Sequence, residues 1–140
     1  MVLVDSCVWI SALRRQGDLF VKCAIEGLLE EYEAALCSPV RLEVLGGARR
    51  EDRKNLDGYF SVLPYLQARE EDWTAACENV RLLAEKGVRV PWFDLLIATI
   101  SLRVGCRLYS IDKHFALMGE HLPIRLYKPG YGGRFATEVE

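Results

Sequence analysis

The sequence predicts an α/β domain built on a central parallel sheet flanked by helices on both faces. Two observations carry this. Short apolar or β-branched runs alternate with helix-periodic stretches along the chain, the pattern of strands joined by crossover helices. Two aspartates, Asp5 and Asp112, directly follow strand-like runs, where open parallel sheets present ligand groups. With 140 residues, 51% of them hydrophobic, the chain can bury one core without disulfides or structural metals.

Val2 to Val4 reads as a buried strand, with Ser6 as the cap of a mostly apolar helix that ends near Arg14-Arg15. After Gln16-Gly17, Asp18 opens an amphipathic helix with Leu19, Phe20, Cys23, Ala24 and Leu28 on its apolar side. Ala34 to Cys37 is a second short strand. Ser38-Pro39 then starts a helix, Ser as the cap and Pro where no hydrogen bond is lost. Gly46-Gly47 weakens that helix, and a further short one runs to about Phe60. Val62 to Leu66, interrupted by Pro64, suits an edge strand or an extended connection.

The cleanest helix follows. Glu70, Glu71 and Asp72 favour its positive end, Trp73, Ala76, Cys77, Val80, Leu83 and Ala84 repeat at helical spacing, and Gly87 closes it. That stripe is expected to face the sheet. Trp92 to Val104, behind Pro91 and ahead of Gly105, is apolar nearly all round and should be deeply buried, with Asp94 its only carboxylate. Arg107 to Ile111 is a strand, Asp112 to Met118 a short helix, and Pro123 to Tyr127 a last strand. From Lys128 the run Pro-Gly-Tyr-Gly-Gly has no periodicity, so residues 1–127 form the domain and 128–140 a flexible tail.

The formal net charge of −2 neither supports nor excludes a polynucleotide ligand, which would need a local basic patch or bound cations. Arg49, Arg50, Arg53, Lys54 and Lys113 are candidates for phosphate contacts, although such a run is more often a solvated face. The five cysteines are widely spaced with no C-x-x-C pair, which fits reduced core thiols in a cytoplasmic protein. The order of charges at the N-terminus is the reverse of a signal peptide's. No apolar run reaches the roughly 18 residues of a membrane span.

Asp5, Glu43, Asp94 and Asp112 each stand near a helix start, where capping alone could explain one carboxylate. Asp94 is the hardest to explain so, because an unpaired charge on a buried helix needs a cation or a proton. Gathered in one pocket, the four would repel, and a divalent cation would supply the missing positive charge. All-oxygen ligation selects Mg²⁺ or Mn²⁺ over zinc.

The segments Val2-Leu-Val-Asp5-Ser6, Pro39-Val-Arg-Leu-Glu43-Val-Leu-Gly, Asp94-Leu-Leu-Ile-Ala-Thr and Leu108-Tyr-Ser110-Ile-Asp112-Lys-His-Phe115 resemble, in order and spacing, the PIN-domain ribonucleases, and more closely the VapC-type toxins of toxin-antitoxin pairs. The resemblance implies a single PIN-like domain and a metal-dependent endoribonuclease that leaves 5′-phosphate and 3′-hydroxyl ends. It further implies that Asp5, Asp94 and Asp112 hold Mg²⁺ or Mn²⁺, one or two ions per site, and that Glu43 binds a second ion or orients the attacking water. Ser110, and less distinctively Ser6, would steady a carboxylate or water. It also implies an RNA substrate, a cognate antitoxin, a homodimer, a cytoplasmic location and no membrane association. Many relatives carry an acid or amide where this chain has His114, which leaves the number of ions open; His114 either reaches a phosphate or a water near the ion, or is solvated. His121 has no assigned role. The competing reading is a PIN-like module that binds RNA or protein without cutting. A haloacid-dehalogenase-type phosphatase would need a second Asp at the position of Cys7, and a receiver-like phosphoacceptor an adjacent acid pair at the first strand and a Lys ending a late strand; neither pattern is evident.

Overall fold

Strands and helices alternate in the computed structural model, which describes residues 1–138. In order they are β1 (Val2–Val4), α1 (Ser6–Leu13), α2 (Leu19–Glu30), β2 (Ala34–Cys37), α3 (Ser38–Gly47), α4 (Arg50–Ser61), β3 (Tyr65–Leu66), α5 (Glu70–Glu85), α6 (Trp92–Val104), β4 (Arg107–Tyr109) and α7 (Lys113–Gly119). The strands form one parallel sheet in the order β3-β2-β1-β4, with Val2 opposite Ala34 and Arg107. Every residue of β1 and β2 is buried. Because successive side chains of a strand point to opposite faces, helices must cover both.

Several local details differ from what the sequence alone predicts. The cap of α1 is Asp5, whose Oδ1 accepts the Ser6 N–H at 2.8 Å. Ser38 does not cap α3; the preceding Cys37 occupies that position, and the Ser38 hydroxyl accepts the Ala68 N–H at 2.9 Å, tying α3 to the segment after β3. Both Gly46 and Gly47 stay within α3.

On α5 the expected stripe is rotated, since Trp73, Cys77 and Ala84 are exposed, and the helix packs on α6 rather than on the sheet. Asp72 is the cause. It is 1% exposed, accepts the Arg69 N–H at 2.8 Å, and takes the Arg103 Nε of α6 at 2.6 Å. Turning Asp72 inward carries Trp73, about 100° further round the helix, toward solvent.

The expected last strand reduces to one parallel bridge, Leu126 beside Leu108. Two 2.8 Å bonds hold it, Leu108 N–H to the Arg125 carbonyl and Tyr127 N–H to the Leu108 carbonyl.

Where the composition predicts a flexible tail, the chain from Lys128 folds back over α2 through a 3₁₀ turn at Tyr131–Gly133. Phe135 stacks on Tyr127 with ring centroids 6.2 Å apart, and Ala136 is buried. The glycines that hide any periodicity provide the turn: Gly132 and Gly133 have φ of +68° and +87°, a region that favours glycine. Val139 and Glu140, the end of the expected tail, lie outside the described residues. No helix among the described residues is long and apolar enough to cross a membrane.

Candidate active site

Because the sheet is parallel, the carboxyl ends of β1, β2 and β4 lie along one edge. The chain leaves β1 toward β2 on one side and later adds β4 on the other, which creates the crevice where such sheets bind ligands. Asp5 is the first residue beyond β1, and its N–H donates to the Tyr109 carbonyl at 2.9 Å. Ser110, one residue past β4, donates its hydroxyl to Asp5 Oδ2 at 2.9 Å and accepts the Asp112 N–H at 3.0 Å. One hydroxyl thus joins the two strand-end aspartates. Asp112 caps α7 by accepting the His114 N–H at 3.0 Å. Glu43 comes from α3 and Asp94 from the first turn of α6, two helices in contact with each other.

Asp5 is 2% exposed, so its charge acts at short range in a poorly solvated place. The Asp94 carboxyl is raised above its ordinary 3.8, first by burial and then by the Asp5 charge, with the His114 hydrogen bond opposing. The Glu43 carboxyl is raised above 4.5 by burial and Asp5, with the Ser6 hydroxyl opposing and Asp94 adding to the rise. Both shifts have the signature of carboxylates crowded in one pocket.

Among the described residues, Asp94, Asp112 and His114 form a group whose candidate ligand atoms all lie within 4.8 Å of one another. Asp5 and Glu43 adjoin it through the charge interactions above. Glu43 Oε1 is buried with no hydrogen-bond partner among the described residues, an arrangement that is costly unless something positive faces it. An oxygen-rich donor set with an orphaned carboxylate oxygen fits a divalent cation.

His114 is not simply solvated. Its Nδ1 lies 3.0 Å from Asp94 Oδ2 and 3.0 Å from Asp112 Oδ1. Arg49, Arg50, Arg53, Lys54 and Lys113 are exposed.

The sequence reading missed Cys7. It is a free thiol packed against the core, but its Sγ also donates to Asp5 Oδ2 at 3.0 Å and sits 3.4 Å from the Ser110 hydroxyl. Burial and the Asp5 charge push its pKa up to about 12, so it stays a thiol and a donor. Its place two residues after Asp5 was the available signal.

The family model of the PIN domain matches residues 2–120. The chain is 30% identical over 120 residues to the VapC ribonuclease Mb1587 of Mycobacterium bovis and to the ribonuclease VapC11 of Mycobacterium tuberculosis, the match covering 82% of this chain and 89% of each relative. Among solved structures it resembles VapBC2 from Rickettsia felis bound to a DNA fragment from their promoter, with TM-score 0.74 and 19% identity over 91% of this chain and 98% of that one. DNA-bound VapBC from Salmonella typhimurium is similar at TM-score 0.72 and 18% identity, over 90% and 96%. The profile spans all four acidic positions, and the two lines of similarity agree on one fold; the chain belongs to the PIN-domain family, with VapC proteins as its relatives.

Proposed function

We propose that the protein is a metal-dependent endoribonuclease and the toxin of a VapBC-type pair. The observation that carries this reading is the grouping of ligand atoms of Asp94, Asp112 and His114 within 4.8 Å of one another, with Asp5 joined to Asp112 through Ser110 and one Glu43 oxygen buried without a partner among the described residues. Asp5, Asp94 and Asp112 hold Mg²⁺ or Mn²⁺, and Glu43 takes a second ion or orients the attacking water. A bound divalent cation supplies an acidified water and neutralises charge on the scissile phosphate.

The chain's own residues do the positioning. Ser110 locks Asp5 to Asp112 through its hydroxyl, Ser6 and Cys7 donate further hydrogen bonds that orient Asp5, and Ser6 also steadies Glu43. No side chain acts as nucleophile, since water attacks in line and leaves a 5′-phosphate. Arg49 and the α4 cations Arg50, Arg53 and Lys54, with Lys113, are exposed and available to an RNA backbone, and contacts there would bring a strong salt dependence.

A cognate antitoxin blocks the acids with a basic side chain, two copies pair as a homodimer, and the protein works in the cytoplasm. The VapBC complexes among the structural neighbours support the antitoxin partner.

The test is cleavage of a structured RNA by the purified chain with Mg²⁺, with Mn²⁺, with chelator, and with Asp5→Asn or Asp94→Asn. Cleavage should require the metal and both aspartates. Unchanged cutting in the variants would overturn the site, and RNA retention without cutting would favour a binding module. Expression alone should arrest growth, with relief by Asp5→Asn.

A further inference from the structure

We infer that the His114 imidazole is itself a ligand of the cation, making this an oxygen-and-nitrogen centre biased toward Mn²⁺ rather than an all-oxygen Mg²⁺ site. The inference rests on the metal-dependent reading of the acids and deepens it. Its first support is geometric. Nδ1 stands 3.0 Å from one oxygen of Asp94 and 3.0 Å from one oxygen of Asp112. Neighbouring ligands on an octahedron with bonds of 2.0–2.1 Å are separated by about 3 Å. A single N–H points well at one acceptor, so it cannot serve both oxygens linearly, whereas a cation can bind all three atoms.

The second support is that the backbone carrying the imidazole is held in place. The His114 N–H donates to Asp112 Oδ1, and the next residue, Phe115, is 1% exposed, with Met118 fully buried one turn on, so α7 is anchored on both sides of the ring's attachment. The side chain is 28% exposed, which leaves an approach from solvent. The third is chemical. Mn²⁺ is the softer of the two ions and accepts a nitrogen donor more readily, whereas Mg²⁺ favours oxygen and keeps its waters. Replacing one oxygen ligand by imidazole therefore shifts preference from Mg²⁺ to Mn²⁺.

The experiment is pulsed electron paramagnetic resonance on the full chain, without purification histidines, titrated with Mn²⁺. Wild type should display coupling of Mn²⁺ to nitrogen-14 that changes to the nitrogen-15 pattern when histidine is labelled. His121→Gln should keep that coupling and His114→Asp should lose it while still binding Mn²⁺. Competition between the two ions should give a Mn²⁺-over-Mg²⁺ preference that falls roughly tenfold in His114→Asp. Wild-type Mn²⁺ without nitrogen coupling, or coupling that survives His114→Asp, overturns the inference; if that variant fails to fold, labelled His121→Gln, whose one remaining histidine is His114, decides. Nitrogen coupling without RNA cleavage would support His114 as ligand while the nuclease reading fails. RNA cleavage with Mn²⁺ bound only through oxygen would do the reverse.

Discussion

Ser110→Ala removes the one hydroxyl that joins the aspartate after β1 to the aspartate that caps α7. In the folded protein this oxygen donates to Asp5 Oδ2 at 2.9 Å and accepts the Asp112 N–H at 3.0 Å. A hydrogen bond to a charged group contributes about 1.5–3 kcal/mol. The Asp112 N–H, beside a side chain that is 35% exposed, can turn to water, so the first bond sets the stability loss. The functional loss comes from freeing Asp5 to rotate and Asp112 to drift. Partners of metal-binding carboxylates typically change affinity or activity about 10–100-fold when removed. Mn²⁺ affinity by calorimetry and cleavage rate on a fluorogenic RNA should both fall within that range, and Ser110→Thr should restore them by returning the hydroxyl. A Ser110→Ala protein that loses stability yet keeps wild-type Mn²⁺ affinity and cleavage would refute the positioning argument.

Other consequences follow from the same geometry. Because the folded state raises the Asp94 and Glu43 carboxyls above their ordinary 3.8 and 4.5, it binds more protons than the unfolded chain, and its stability falls as pH rises through the folded values. Metal-free protein should therefore melt at higher temperature as pH drops from neutrality toward those values, and saturating Mn²⁺ should flatten that slope; a metal-free melting curve rising toward neutral pH across that range would count against the crowded carboxylates. Asp94→Asn should abolish Mn²⁺ binding while raising the neutral-pH melting temperature of the metal-free protein, both readable by scanning fluorimetry. Gly133→Ala tests the docked tail: an added Cβ would lie 2.9 Å from both Cys23 Cβ and the Phe20 carbonyl, at φ +87°. The left-handed conformation alone costs roughly 1–2 kcal/mol, so urea unfolding should shift by at least that much, and an unchanged midpoint would mean that the segment is not packed.

What the sequence makes legible is whatever rests on local period and chain order. The β1 run, the buried span Leu95–Ser101 and the placing of Asp5 and Asp112 after strands can be read because burial imposes a pattern on neighbouring residues. The face of α5 could not, since the partner that turns Asp72 inward, Arg103, is 31 residues away. Ser38 looks like a cap until the Ala68 N–H, 30 residues on, claims its hydroxyl. The tail hides its docking because glycine turns carry no periodicity. At the site, the acids announce their chemical type but not their convergence. His114 faces Asp94 across 20 residues, and Cys7 meets Ser110 across 103. These contacts are properties of the sheet's edge, and no local spacing encodes them.

Whether Asp5, Glu43, Asp94 and Asp112 form one divalent-cation centre is decided by diffraction from crystals of the chain soaked in Mn²⁺, collected above the manganese absorption edge. An anomalous peak is expected within bonding distance of Asp94 and Asp112, with Asp5 or Glu43 completing the shell directly or through water. Crystals with no peak there at saturating Mn²⁺, or with manganese bound only elsewhere on the surface, would contradict a shared centre.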